Sequence, residues 1–158
     1  MAVKRRHFLK TDAARQVLAA LSSYDTERIL TGTLEVIETP RYSLIALNGT
    51  PVAMYVDGKP FFTVRGALEL KPRKHLVTVD MGAVKFIRNG ADVMSPGIVA
   101  ADESIEPGDP VIVVEERHKK PLGVGTALMN GTEMTRSTKG KAIKMVHHVG
   151  DAIWDLAL

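Results

Sequence analysis

The sequence predicts an α+β protein of two units, a helix with a small antiparallel meander followed by a small barrel or sandwich. Three observations carry this. An amphipathic helical stretch near the start gives way to a partly alternating, β-branched pattern. Two turn dipeptides, Asn48-Gly49 and Asp57-Gly58, punctuate that pattern as hairpin signals. After the basic, proline-broken stretch Lys71-Pro72-Arg73-Lys74, about six short apolar runs crowd into about 80 residues. That stretch is the expected linker, so the units are expected to occupy residues 1–73 and 74–158.

In chain order, His7–Lys10 reads as a short strand and Thr11 as the N-cap of a helix over 12–22, with Asp12 complementing its dipole. Ala13, Val17, Leu18 and Leu21 share the apolar face of that helix. Thr33–Thr39, Tyr42–Leu47, Val52–Val56 and Phe61–Val64 form the meander, and Gly66–Leu70 reads as a helical turn. Leu76–Val79 opens the second unit as a strand. Asp80 caps a helix over 81–88, which Gly90 ends by supplying a left-handed residue. Short strands follow near 91–94 and 98–100, joined by Ser95-Pro96-Gly97-Ile98, which has the pattern of a type II turn. Pro107-Gly108-Asp109 turns the chain into the fully apolar strand Val111–Val114, and Glu115–Lys120 reads as a polar hairpin loop. Leu122–Met129 is expected to alternate, with Leu122, Val124 and Leu128 on one face. Gly123, Gly125, Ala127 and Met129 fall on the other, as a tightly curved sheet or close backbone packing requires. Asn130-Gly131 leads into a helical turn at Thr132–Ser137, and Lys141–His147 and Ala152–Leu156 complete the set.

The composition, 45% hydrophobic and 25% charged over 158 residues, is that of a globular chain able to bury a core without disulfides. There is no cysteine, which excludes disulfide frameworks, cysteine zinc sites and thiol catalysis and fits a reducing cytoplasm. No apolar run approaches the roughly 18 residues of a membrane span, and no apolar signal core follows the basic start. A cytoplasmic protein is expected, with the Asn-x-Thr triplets at Asn48 and Asn130 read as turns. The net charge of +3 is mild, but its distribution is not. Residues 92–116 carry seven acids and no Lys or Arg, whereas 117–148 carry Arg117, Lys119, Lys120, Arg136, Lys139, Lys141 and Lys144 against Glu133 alone. Together with Lys4, Arg5, Arg6 and Lys10, such segregation can build a basic face that steers polyanions, unless folding scatters the cations.

Lys85 and Arg88, three apart, share one helix face opposite Met81, Val84 and Ile87. The glycines that follow can simply turn the chain, or they can let a phosphate–sugar backbone approach main-chain groups closely. Gly123-x-Gly125 lies inside a strand and is no dinucleotide loop. His147 and His148 point to opposite faces of a strand and cannot chelate one ion as neighbours. No serine sits in a nucleophile elbow. No catalytic residue, metal or cofactor is expected. With aromatics at 5%, an open sheet stacking several bases is disfavoured, and phosphate contacts should dominate any RNA binding.

The runs VDMGAVKFIRNGADVMSPGI, DPVIVVEERHKKPLGVGTALM and the late GDAIWDL, spanning residues 76–156, resemble a PUA domain. That module is a small β-barrel that binds RNA, found in pseudouridine synthases and archaeosine transglycosylases. The preceding helix and meander, with NGTPVAMYVDGKPFFTVRGALEL, resemble the pre-PUA domain of the malignant T-cell-amplified-sequence proteins and their archaeal counterparts. The resemblance implies a pre-PUA domain, then a PUA pseudo-barrel, in a non-enzymatic protein that binds RNA in a translation setting. Its expected partners are structured RNA, a tRNA acceptor end or rRNA, and with it a ribosome or a translation factor, with neither DNA nor membrane. The cysteines of the eukaryotic relatives are absent here. Carried over residue by residue, the RNA-facing surface implied is Lys85, Arg88, Asn89, Gly90, Ala91, Met94, Pro96 and Gly97, extended by Arg136, Lys139, Lys141 and Lys144. Ala83, Phe86, Ile87, Val93 and Trp154 are expected in the core. The rival readings are an RNA-modification enzyme or its accessory subunit, and a protein–protein adaptor.

Overall fold

The computed structural model describes residues 1–28 and 31–158. The first sheet holds β1 (Arg5–Phe8), β2 (Leu34–Glu38), β3 (Ser43–Leu47), β4 (Thr50–Val56) and β5 (Lys59–Phe62), antiparallel and in sequence order. Helix α1 (Thr11–Ser22) lies between β1 and β2 in the chain, and α2 (Val64–Leu70) follows β5. The two hairpin signals hold. Asn48 and Gly49 have φ of 50° and 85°, Asp57 and Gly58 of 48° and 79°, the paired positive values of a type I′ turn. Gly66 is required by packing: a Cβ there would lie 1.7 Å from the Val52 carbonyl oxygen, so α2 presses directly on β4.

The second sheet holds β6 (Leu76–Val79), β7 (Val93–Met94), β8 (Ile98–Ala101), β9 (Pro110–Glu115), β10 (Pro121–Ala127) and β11 (Lys141–His148). Its order is β7-β11-β10-β9-β6-β8, with β6 and β9 parallel. The edge strands β7 and β8 are joined by the three-residue turn Ser95–Gly97, so the sheet curls into a nearly closed barrel. A 3-10 turn, Met81–Ala83, runs into α3 (Val84–Arg88), and α4 (Gly131–Arg136) packs near β8. The α+β class and the pseudo-barrel are as expected.

Several expectations are corrected. Thr11 is the first helical residue, and Lys10 holds the cap position without a side-chain bond. The first strand begins at Arg5 because Arg5 and Arg6 pair with Glu38 and Glu35 across β2. The stretch from Lys71 is packed: Pro72 is buried and bridges Thr26, and the Arg73 amide donates to the Tyr24 carbonyl at 3.0 Å. Ser95–Gly97 is a 3-10 turn, not type II; Gly97 keeps an ordinary φ, and its carbonyl accepts from the Asp80 amide at 2.9 Å. Register shifts in β10 break the simple alternation, so Leu122 and Val124 join different apolar clusters. Where a strand is expected over 152–156, residues 152–155 form turns, because the Asp151 carboxylate accepts from the amides of His148 and Trp154.

One apolar cluster fills the barrel, around Val77, Ile87, Val111, Val113 and Ile143. The other crosses between the sheets. Leu44, Val52, Met54, Phe61 and Ala67 share it with Ile112, Val114, Val124 and Ile153. Polar ties reinforce that seam. The Val64 amide donates to His147 Nε2 at 3.2 Å, and His147 Nδ1 lies 2.9 Å from the Asp151 carboxylate. An acceptor at Nε2 leaves the ring proton on Nδ1, facing the Asp151 carboxylate. Arg65 lies 4.2 Å over the Trp154 ring and donates to its carbonyl at 2.8 Å. Trp154, expected in the core, is therefore half-buried beneath a guanidinium.

Candidate nucleic-acid interface

The corner around α3 is built by three local devices. Asp80 Oδ1 accepts from the Ala83 amide at 3.0 Å and starts the turn. Ile87 is the buried anchor. Gly90, at φ 90°, ends the helix: its amide donates to Ile87 and that of Ala91 to Phe86, the paired bonds of a Schellman motif. With Ile87 turned inward, Lys85, Phe86 and Arg88 are left in solvent. Phe86, expected in the core, is 58% exposed. The helix has too few turns to bury two faces. Lys85 Nζ stands 5.2 Å from the Phe86 ring. Neither Lys85 nor Arg88 forms an ion pair among the described residues.

Two concavities flank Phe86. An open depression of about 870 Å³ is lined by Lys85, Phe86, Arg88 and Asn89 on one side and Val149 and Gly150 on the other. A smaller apolar pocket of about 260 Å³ lies between α3 and β7, lined by Ala83, Phe86, Ala91, Met94 and Gly97 among others. Asn89, Gly90, Ala91, Met94 and Pro96 are exposed and Gly97 half-buried. Eight of the twelve sequence-assigned residues, from Lys85 to Gly97, thus meet at one corner.

The other four divide. Lys141 pairs with Met94 in register and sits 2.9 Å from Asp92, whose carboxyl it holds below the usual range. Its charge is already largely matched. Lys144 is exposed on the same strand and adds to the field on Asp92. Lys139 lies in the loop whose Gly140 carbonyl accepts from the Ser95 amide. Arg136 lies elsewhere, lining a depression with Glu103, Glu106 and Glu133. Sequence reasoning missed Phe86 and His148. The His148 Nε2 would lie 3.2 Å from a Cβ at Gly90, so the ring closes the corner from β11. The adjacency of His148 and Gly90 is purely tertiary and left no local signal.

The PUA domain family matches residues 75–149. An uncharacterized protein of Methanocaldococcus jannaschii is 44% identical over 98% of both chains. Translation machinery-associated protein 20 of Schizosaccharomyces pombe is 33% identical over 75% of this chain and 68% of its own. Human malignant T-cell-amplified sequence 2 is 31% identical over 49% of this chain, which spans just under half (45%) of that protein. The crystal structure of a hypothetical protein from Pyrococcus horikoshii superposes with a TM-score of 0.86 at 35% identity, over 98% of this chain and 100% of that one. The corner at α3 lies inside the matched segment, and the similarity to the archaeal proteins runs through both sheets. The chain therefore belongs to the PUA-domain proteins that join the malignant T-cell-amplified-sequence and translation machinery-associated proteins to their archaeal counterparts.

Proposed function

We propose that the corner of α3, the Asn89–Gly90 turn and β7 binds structured RNA, as part of a non-enzymatic, cytoplasmic role in translation. The observation that carries this is one exposed aromatic between two unmatched cations, Lys85-Phe86-Arg88, over an open depression. Cations at that spacing neutralise phosphates. Phe86 offers one stacking face, enough for a single unpaired base but not for a run of them. That suits a tRNA acceptor end or an exposed rRNA nucleotide, and the name of the fission-yeast relative supports a ribosomal setting or a translation-factor partner.

The test is a titration of labelled tRNA, with and without Lys85→Glu/Arg88→Glu. Both side chains are exposed, so the double variant is expected to melt like the parent. Its affinity is expected to fall at least tenfold at moderate salt, and the slope of log affinity against log salt to flatten by roughly one to two units. Undiminished affinity would refute this surface.

A further inference from the structure

A second concavity, with no lining residue in common with the corner at α3, lies where α2 meets the β9–β10 hairpin; it has a volume of about 510 Å³. Its walls are aliphatic: Leu68, Leu76, Ile112, Val114 and Pro121. Ile112 and Val114 form a buried floor, while Leu68 stands 41% exposed at the rim. The rim is cationic. Lys71, Lys119 and Lys120 surround the opening, with His118 beside them. Arg73 is also there, but Asp25 at 3.3 Å and Glu27 at 3.5 Å already match it. The three lysines form no ion pair among the described residues.

The lysines are held in place by structure. Lys71 and Lys119 sit at φ of 51° and 57°, a left-handed conformation uncommon outside glycine. Lys71 closes α2, its amide donating to Ala67 at 3.0 Å. Buried Glu115 gathers the loop around itself: its carboxylate accepts from the His118 amide, its carbonyl accepts from the Lys119 amide, and its own amide donates to the Lys120 carbonyl. Burial works to raise its pKa, but backbone hydrogen bonds from the loop prevail and hold it below the usual range, so it stays a carboxylate that braces the turn.

We infer that this cleft docks a protein partner through a short segment bearing aliphatic and acidic side chains. An aliphatic slot of this size takes one or two large apolar side chains, and unmatched lysines on the rim select flanking carboxylates. RNA is the poorer fit: no Phe, Tyr or Trp lines the cleft, and its floor is aliphatic, so a base finds no broad ring to stack on inside it.

The test is selection of a random dodecapeptide phage library on the immobilised full chain, followed by synthesis of the enriched consensus as a fluorescent peptide. The consensus is expected to combine Leu, Ile or Phe with Asp or Glu. Its affinity is expected to fall at least tenfold for Leu68→Glu and for Lys71→Glu/Lys120→Glu, and to be unchanged for Lys85→Glu/Arg88→Glu. Amide spectra of each variant establish that the fold survives. Three results overturn the inference. One is no enrichment, or enrichment that both cleft variants leave intact. Another is loss of tRNA binding in the cleft variants, which would make the cleft part of the RNA path. The last is a concentration-dependent dimer abolished by Leu68→Glu, which would make the occupant a second copy of this chain.

Discussion

Phe86 and Ile87 are neighbours with opposite fates: one ring in solvent, one side chain 1% exposed. Periodicity placed Ile87 inside and the resemblance to PUA domains placed Phe86 there too, but α3 is a single short helix with one covered side. An exposed ring contributes little to stability, so Phe86→Ala is expected to leave the melting temperature nearly unchanged while lowering tRNA affinity. If a base stacks there, the loss should be about 5- to 150-fold, from roughly 1–3 kcal/mol per stacked base. An equal effect on RNA affinity and none on stability would separate it from Ile87→Ala, which should unfold the corner. Gly90 was legible because its signal is local: a helix end needs a left-handed residue. Gly90→Ala should cost about 1–2 kcal/mol in urea unfolding from the left-handed backbone alone, and it would also push against His148. A variant as stable as the parent would contradict the geometry.

At the scale of elements, the hairpins Asn48-Gly49 and Asp57-Gly58 could be read directly, because type I′ turns are specified by the residues that make them. What could not be read were features decided by distant atoms. Pro96-Gly97 has the letters of a type II turn, yet the need to close β7 onto β8 selects a 3-10 turn, with Gly97 bonded to Asp80. Residues 152–156 have an apolar strand's composition, yet Asp151 winds 152–155 into turns. Gly66 likewise carries no sequence signal for its contact with Val52. Gly66→Ala is expected to destabilise by at least about 1–3 kcal/mol, since the carbonyl it meets is backbone in a central strand and cannot yield. A thermal melt would show it; an unshifted midpoint would mean that α2 does not press on β4.

For the whole molecule, the shared cluster and the His147–Asp151 latch make the two sheets one body. Burial tends to raise the Asp151 carboxyl, but hydrogen bonds from His147, Trp154 and His148 outweigh it and hold its pKa below the usual range. A depressed carboxyl stabilises above its unfolded pKa of about 3.9 and loses that contribution as pH falls through the folded value. Melting temperature should therefore drop below about pH 4 more steeply in the parent than in Asp151→Asn; parallel curves would discount the latch. Ile112→Ala, which empties a fully buried site facing the first sheet, should cost about 2–5 kcal/mol and still give a single transition. Two separate transitions would show the sheets to be independent. The shared cluster also sets a timetable for biosynthesis. The first sheet leaves the ribosome with one apolar flank bare, and the residues that cover it, Ile112, Val114, Val124 and Ile153, are all made well after its last strand, which ends at Phe62. The nascent first sheet must wait, greasy side outward, until Ile153 has been made.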